Sequence, residues 1–249
     1  FGGFPRPLYA LQYPAAGAPA LAQEVLGLLV QAGIDARGDA ARPFDHGAWV
    51  PLMHLFPQAD VPVVQVALPV GAGPAEVYAM GAALRGLREQ GVLVVGSGSM
   101  THNLAEFFGG ADQPAPYVVE FSRWIEAQLE QGDTAALLDY RARAPHARRA
   151  HPTEDHFLPI FFALGAAGEG AEAGHGEGAV PHDPGHRAAA VVERIRQVHP
   201  AFPVAQRAVA GILERATDGL IQHMRKRAHL GRKGRLAPAD LTDHAAAHQ

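Results

Sequence analysis

The chain has no cysteine. Disulfide staples, zinc–thiolate sites and thiol nucleophiles are therefore excluded, and any metal must be held by nitrogen and oxygen donors. It has no apolar run long enough to span a bilayer, and its first residues, Phe1-Gly2-Gly3-Phe4-Pro5, have neither the charged nor the hydrophobic region of a signal peptide. Positive charge is not in excess: 21 lysines and arginines against 25 aspartates and glutamates leave a formal net charge of −4 with neutral histidines. Neither phosphate backbones nor anionic lipids attract an acidic body, so no membrane partner is expected and nothing general favours nucleic acid. A soluble, cytoplasmic protein is the default expectation.

What the sequence does have is 249 residues, 48% of them hydrophobic, enough for one large domain or a domain with an appendage. It also has 14 histidines, which keeps a nitrogen-liganded metal open. The first residue is Phe1 rather than methionine and reads as part of a loop, so the domain is expected to start upstream and the chain to be a fragment.

Pro19, then Leu21, Val25, Leu28 and Leu29, then Gly33, have the pattern of an amphipathic helix with proline in its first turn and glycine past its end. A short strand is expected at Ile34–Arg37. Asp45 is placed to cap a helix carrying Trp49, Leu52, Met53 and Phe56. Val61–Val70 is nearly continuous and β-branched, the pattern of a strand buried on both faces. A helix over Pro74–Gln90, stopped by Gly91, and a second buried strand at Val92–Val95 complete a strand-helix-strand unit. The expected class is thus α/β, with a mostly parallel central sheet flanked by helices.

After that second strand come the turn Gly96-Ser97-Gly98-Ser99 and then His102, on the kind of loop that lines ligand crevices in open α/β sheets. Further helices are expected at Tyr117–Gln131, at Thr134–Arg141 and from Thr153, whose hydroxyl would cap the acidic turn Glu154-Asp155 before the apolar stretch Phe157–Leu164. From about Gly168 a glycine-, glutamate- and alanine-rich run reads as a linker. The division is therefore 1–168 as one domain and 169–249 as a linker with an irregular or helical basic extension. Within the latter, helices are expected at Arg187–His199 and Val204–Arg227.

Three segments carry histidines in chemically suggestive places: Phe44-Asp45-His46-Gly47, Gly98-Ser99-Met100-Thr101-His102-Asn103-Leu104 and His151-Pro152-Thr153-Glu154-Asp155-His156-Phe157-Leu158-Pro159. Each alone is weak, because a histidine near a turn is more often structural. His151 and His156 lack the i, i+4 spacing of a zinc-protease helix, and the glycine-serine turn lacks both the lysine of a phosphate-binding loop and the dinucleotide fingerprint. Its glycines are expected to allow the tight turn that presents His102. His54 and His146 read as surface residues.

Taken together and in order with Phe1-Gly2-Gly3-Phe4-Pro5 and Tyr13-Pro14-Ala15-Ala16-Gly17-Ala18-Pro19, these segments resemble the DOPA 4,5-dioxygenase-like branch of the class III extradiol dioxygenases. The resemblance runs from Phe1 to about Ala167. It implies a mononuclear non-haem metal, Fe(II) or alternatively Zn(II), with a small-molecule catechol and dioxygen as reactants. It implies that His156 is a metal ligand, with Glu154 as runner-up, and that two further histidine ligands precede Phe1. It implies that His102 is an acid-base residue and His46 a hydrogen-bond donor to substrate or dioxygen, which Asp45 would orient unless it simply caps its helix. With one ligand present, this chain alone is expected to show weak or no catalysis. The strand that closes the family's sheet after the Phe-Leu-Pro helix has no match. The alternative reading is a non-catalytic binding or regulatory protein whose six lysines and arginines between Arg225 and Arg235 form a weak phosphate-binding patch.

Overall fold

The structure, a computed structural model, describes residues 11–107 and 115–168. The Phe-Gly-Gly-Phe-Pro segment, the linker, the helices expected at Arg187–His199 and Val204–Arg227, and the Arg225–Arg235 cluster all lie outside the described residues. Helix α1 spans Pro19–Gln31 with proline in its first turn, and α2 spans His46–Leu55. The Asp45 side chain accepts a hydrogen bond from the Ala48 N–H at 3.0 Å, so the capping reading of Asp45 holds.

Helix α3, Pro74–Ala83, is shorter than its periodicity predicts; the expected helix to Gln90 is completed by a separate 3₁₀ segment, Arg85–Gln90. Gly91 ends that segment in the left-handed conformation, with φ of 78°. A four-residue α4, Leu104–Phe107, begins two residues after His102. The most amphipathic element is α5, Pro116–Gln131, which buries Tyr117, Val118, Phe121, Ser122, Ile125 and Leu129 and stops at left-handed Gly132. The single helix expected over Thr134–Arg141 is broken at Asp139 into α6, Thr134–Leu138, and α7, Tyr140–Arg143. Helix α8 is Ala147–Ala150. Helix α9, Pro159–Ala167, begins at Pro159 rather than at Thr153, because proline's fixed φ and absent N–H suit the first helical position. Residues 152–158 form turns, so Thr153 does not cap a helix.

The expected parallel sheet is not found. Among the described residues there is no strand, only an isolated parallel bridge between Gly17 and Val63 in which the Val63 N–H donates to the Ala16 carbonyl at 2.9 Å. Segments 34–37, 61–70 and 92–95 have no ladder, and the strand-helix-strand unit is a helix between two irregular segments. Val61, Val70 and Val95 are exposed, which contradicts burial on both faces, although Val66, Leu68, Val92 and Val94 pack against the core. The β-branched run reports side-chain shape and partial burial, whereas a strand also needs a neighbour to pair with its backbone groups, and composition does not contain that neighbour.

The core is helical. Helices α3 and α9 cross at glycines: a Cβ at Gly81 would collide with the Phe162 carbonyl, and one at Gly165 with the Tyr78 carbonyl. Such an approach lets backbones touch where any side chain would hold them apart. Behind it, Phe121, Tyr140, Phe157 and Phe161 form a buried aromatic cluster with ring centroids 4.7–6.3 Å apart. Arg85 and Arg88 donate to the Gly165, Ala166 and Ala167 carbonyls and so satisfy the orphan acceptors at the end of α9. No helix among the described residues is long and apolar enough to cross a membrane.

Candidate functional site

Two chain segments distant in sequence, 96–106 and 149–159, are joined side by side. The Ser99 N–H donates to the His156 carbonyl, and the His102 N–H to the Ala150 carbonyl, both at 2.8 Å. The Asn103 side-chain amide donates to the Arg149 carbonyl at 2.8 Å, and Arg149 in turn holds both Glu106 carboxylate oxygens at 2.8 and 2.9 Å. Gly96 and Gly98 have a different use from the tight turn expected of them. Neither takes a positive φ, but a Cβ at Gly96 would strike the Pro159 carbonyl and one at Gly98 the His156 carbonyl. These glycines bring one backbone against the other.

That apposition puts the His102 and His156 rings in a face-to-face stack, with centroids 3.5 Å apart and planes within 9°. Burial, then the neighbouring His156, pulls the His102 pKa below its ordinary value, with Asp155 and a backbone hydrogen bond acting the other way. His102 is therefore a neutral ring at pH 7, able to accept a proton. Asp155 Oδ2 lies 2.9 Å from His156 Nδ1 without hydrogen-bond alignment. Burial raises the Asp155 carboxyl, but the Thr153 hydroxyl and the charge of His156 more than offset it, so the group stays below the usual carboxylate range.

His46 opens α2 directly after its cap. Its pKa is lowered by burial against the opposing pull of Asp45, and lowered further by His156, so it shares an electrostatic neighbourhood with the stacked pair. Glu154 is engaged elsewhere: it accepts from the Tyr140 hydroxyl at 2.8 Å and lies 3.6 Å from Arg141. His54 and His146 are exposed, as expected, and His146 pairs with Glu120 at 2.9 Å.

Sequence reasoning assigned no role to His151, which is fully buried. Its Nε2 meets the Met100 carbonyl at 2.8 Å and its ring packs on Phe121 and Phe157. Nothing in its spacing separates it from exposed His146; only the tertiary fold does.

The donor chemistry suits a metal held by nitrogen and oxygen, but among the described residues no three histidines, cysteines or carboxylates converge into a metal-binding group. The stacked pair is not a chelate by itself. An imidazole lone pair lies in its ring plane, and two nearly parallel planes 3.5 Å apart do not meet at a point about 2.0–2.1 Å from a nitrogen of each. The described residues do not by themselves form a complete metal site.

The chain belongs to the family described as the catalytic LigB subunit of aromatic ring-opening dioxygenase, which it matches over residues 3–191. Among curated proteins it is 40% identical over 174 residues to 4,5-DOPA dioxygenase extradiol of Beta vulgaris, covering 70% of this chain and 65% of that protein. To 4,5-DOPA dioxygenase extradiol of Escherichia coli K12 it is 36% identical over 173 residues, covering 67% and 62%. The chain thus spans a little under two thirds of the length of these relatives. Among solved structures it is similar to an uncharacterized protein from Escherichia coli K12, with 33% identity, a TM-score of 0.58, and coverage of 66% of this chain and 68% of that one.

Proposed function

We propose that this protein opens a catecholic aromatic ring with dioxygen by extradiol cleavage, beside rather than between the two hydroxyls, to give a semialdehyde. DOPA, named in the curated relatives, is the first substrate to try. The observation that carries the reading is the contact between His102 and His156, two residues from different segments brought to one place.

In this reading the cofactor is one non-haem metal ion, Fe(II) or alternatively Zn(II), with His156 as one donor and the rest of the ligand set outside the described residues. When bound, such a metal favours catecholate over neutral catechol and holds both reactants together. His102, kept neutral by burial, takes the proton from a substrate hydroxyl and returns it after the ring opens. His46 donates a hydrogen bond to the substrate or to dioxygen. Asp155, ionised beside both stacked rings, stabilises the imidazolium formed when His102 is protonated, since its charge favours the cationic ring.

The test is oxygen uptake by the protein expressed from its complete gene and loaded with ferrous iron, with DOPA and a panel of other catechols. Oxygen consumption matched by a yellow semialdehyde is expected. Absence of both with every catechol, in protein that retains iron, overturns the reading.

A further inference from the structure

His151 is the one histidine among the described residues that is fully buried, and the proton-transfer scheme above makes no use of it. Its setting fixes its chemical state. A ring nitrogen 2.8 Å from a carbonyl oxygen must carry the hydrogen, so Nε2 is the donor to Met100 and Nδ1 is a bare acceptor. Nδ1 has no hydrogen-bond partner among the described residues. Leaving such an acceptor buried is unfavourable, because it gives up its bonds to water and gains none in exchange. A phenylalanine would pack equally well against Phe121 and Phe157 without that cost, so packing alone does not explain a histidine here.

The Met100 carbonyl that His151 holds is two residues before His102. His151 itself follows Ala150, whose carbonyl receives the His102 N–H. Its bond therefore closes a small frame: Ser99 on the His156 carbonyl, Met100 on the His151 ring, His102 on the Ala150 carbonyl. The first and last of these are backbone bonds available to any sequence. The middle one depends on a side chain, and it lies in the core, where water does not compete.

We propose that His151 is a positioning residue: its Nε2–H, bonded to the Met100 carbonyl, sets the height of the 100–102 segment and thereby holds the His102 ring in register over His156. The role rests on the ring-opening function proposed above for its catalytic meaning, but its structural content is independent. Removing the donor lets the segment shift, and a displacement of about 1 Å at a reacting group costs up to on the order of 100-fold in rate.

The test compares His151→Phe, which keeps a ring and loses the donor, with His151→Gln, whose side-chain amide can reach the same carbonyl. In the iron-loaded protein, His151→Phe is expected to lower kcat roughly 10- to 100-fold with KM nearly unchanged. It should also abolish the ring-to-ring nuclear Overhauser contacts between His102 and His156 in the metal-free protein. His151→Gln is expected to restore most of both. A folded His151→Phe with the stack and kcat intact overturns the proposal, as does a glutamine variant no better than phenylalanine. Should His151→Phe fail to fold, the nitrogen shifts of the unaltered protein decide: a hydrogen on Nε2 supports the role, and one on Nδ1 sinks it. If no catechol is turned over by the unaltered protein, the functional reading fails, while the ring contacts and the tautomer still decide whether His151 positions His102.

Discussion

His102 and His156 lie ring against ring, 3.5 Å apart and nearly parallel, although 54 positions separate them in the chain. Burial, and after it the neighbouring His156, makes His102 harder to protonate. Because the planes are parallel, the two rings do not direct their nitrogens to one point, so His156 would hold a metal while His102 would remain available for proton transfer.

That relationship separates the two roles experimentally. In iron-loaded protein His102→Ala should retain iron and lose turnover, by on the order of 100- to 10,000-fold for a lost acid-base group. His156→Ala should lose the iron itself. Metal analysis beside oxygen uptake checks both, and equal metal loading in the two variants contradicts the assignment.

Burial pushes the His151 pKa from 6.5 down to about 4. The folded state therefore holds this proton less tightly than the unfolded state, so stability is fully present above about pH 6.5 and falls as pH drops toward 4. Between pH 7 and 4.5 the loss from this group is about 2–3 kcal/mol. His46, His102 and Asp155 also have lowered pKa values and act in the same direction. Urea midpoints at the two pH values should consequently draw closer together in His151→Phe than in the unaltered protein. An unchanged difference would show that the buried ring is not the acid-sensitive group.

The crossing of α3 and α9 tolerates no Cβ. Gly81→Ala or Gly165→Ala meets backbone rather than a flexible side chain, so each should destabilise by about 1–3 kcal/mol. Gly86→Ala, with open space around it, should stay within about 0.5 kcal/mol of the original and serves as the control. Denaturant unfolding of the three variants gives the comparison directly.

Asp45 offers a choice between capping α2 and orienting His46. Asp45→Ala should cost about 1 kcal/mol of stability, and Asp45→Asn should recover nearly all of it because the amide oxygen still accepts from Ala48. If turnover also survives in the asparagine variant, the cap is the whole role. A stable but inactive Asp45→Asn would instead assign the carboxylate charge to His46.

The parts of the fold that could be read from the sequence are those written in local rules. Pro19, Pro74 and Pro116 start helices, Gly91 and Gly132 end elements, and Asp45 caps one, because each acts through its own φ or its own side chain. Helix lengths were less legible: the breaks after Ala83 and at Asp139 fall on neither a proline nor a glycine, so no local signal marks them. The valine runs misled outright, since they carry strand composition without a paired neighbour among the described residues.

For the site, the sequence by itself determined the inventory: no thiolate, histidines at 46, 102 and 156, and the motifs around them that place the chain in a ring-opening family. Only the tertiary structure decided that His102 and His156 touch, that Glu154 is committed to Tyr140 and Arg141, and that His151 is buried beneath the loop that carries His102. The physical reason is one of range. Residue type and spacing fix what a side chain can do and how its own few neighbours bend, whereas burial and contact across fifty residues arise from close backbone approach at glycines such as Gly96 and Gly98, which no local pattern encodes.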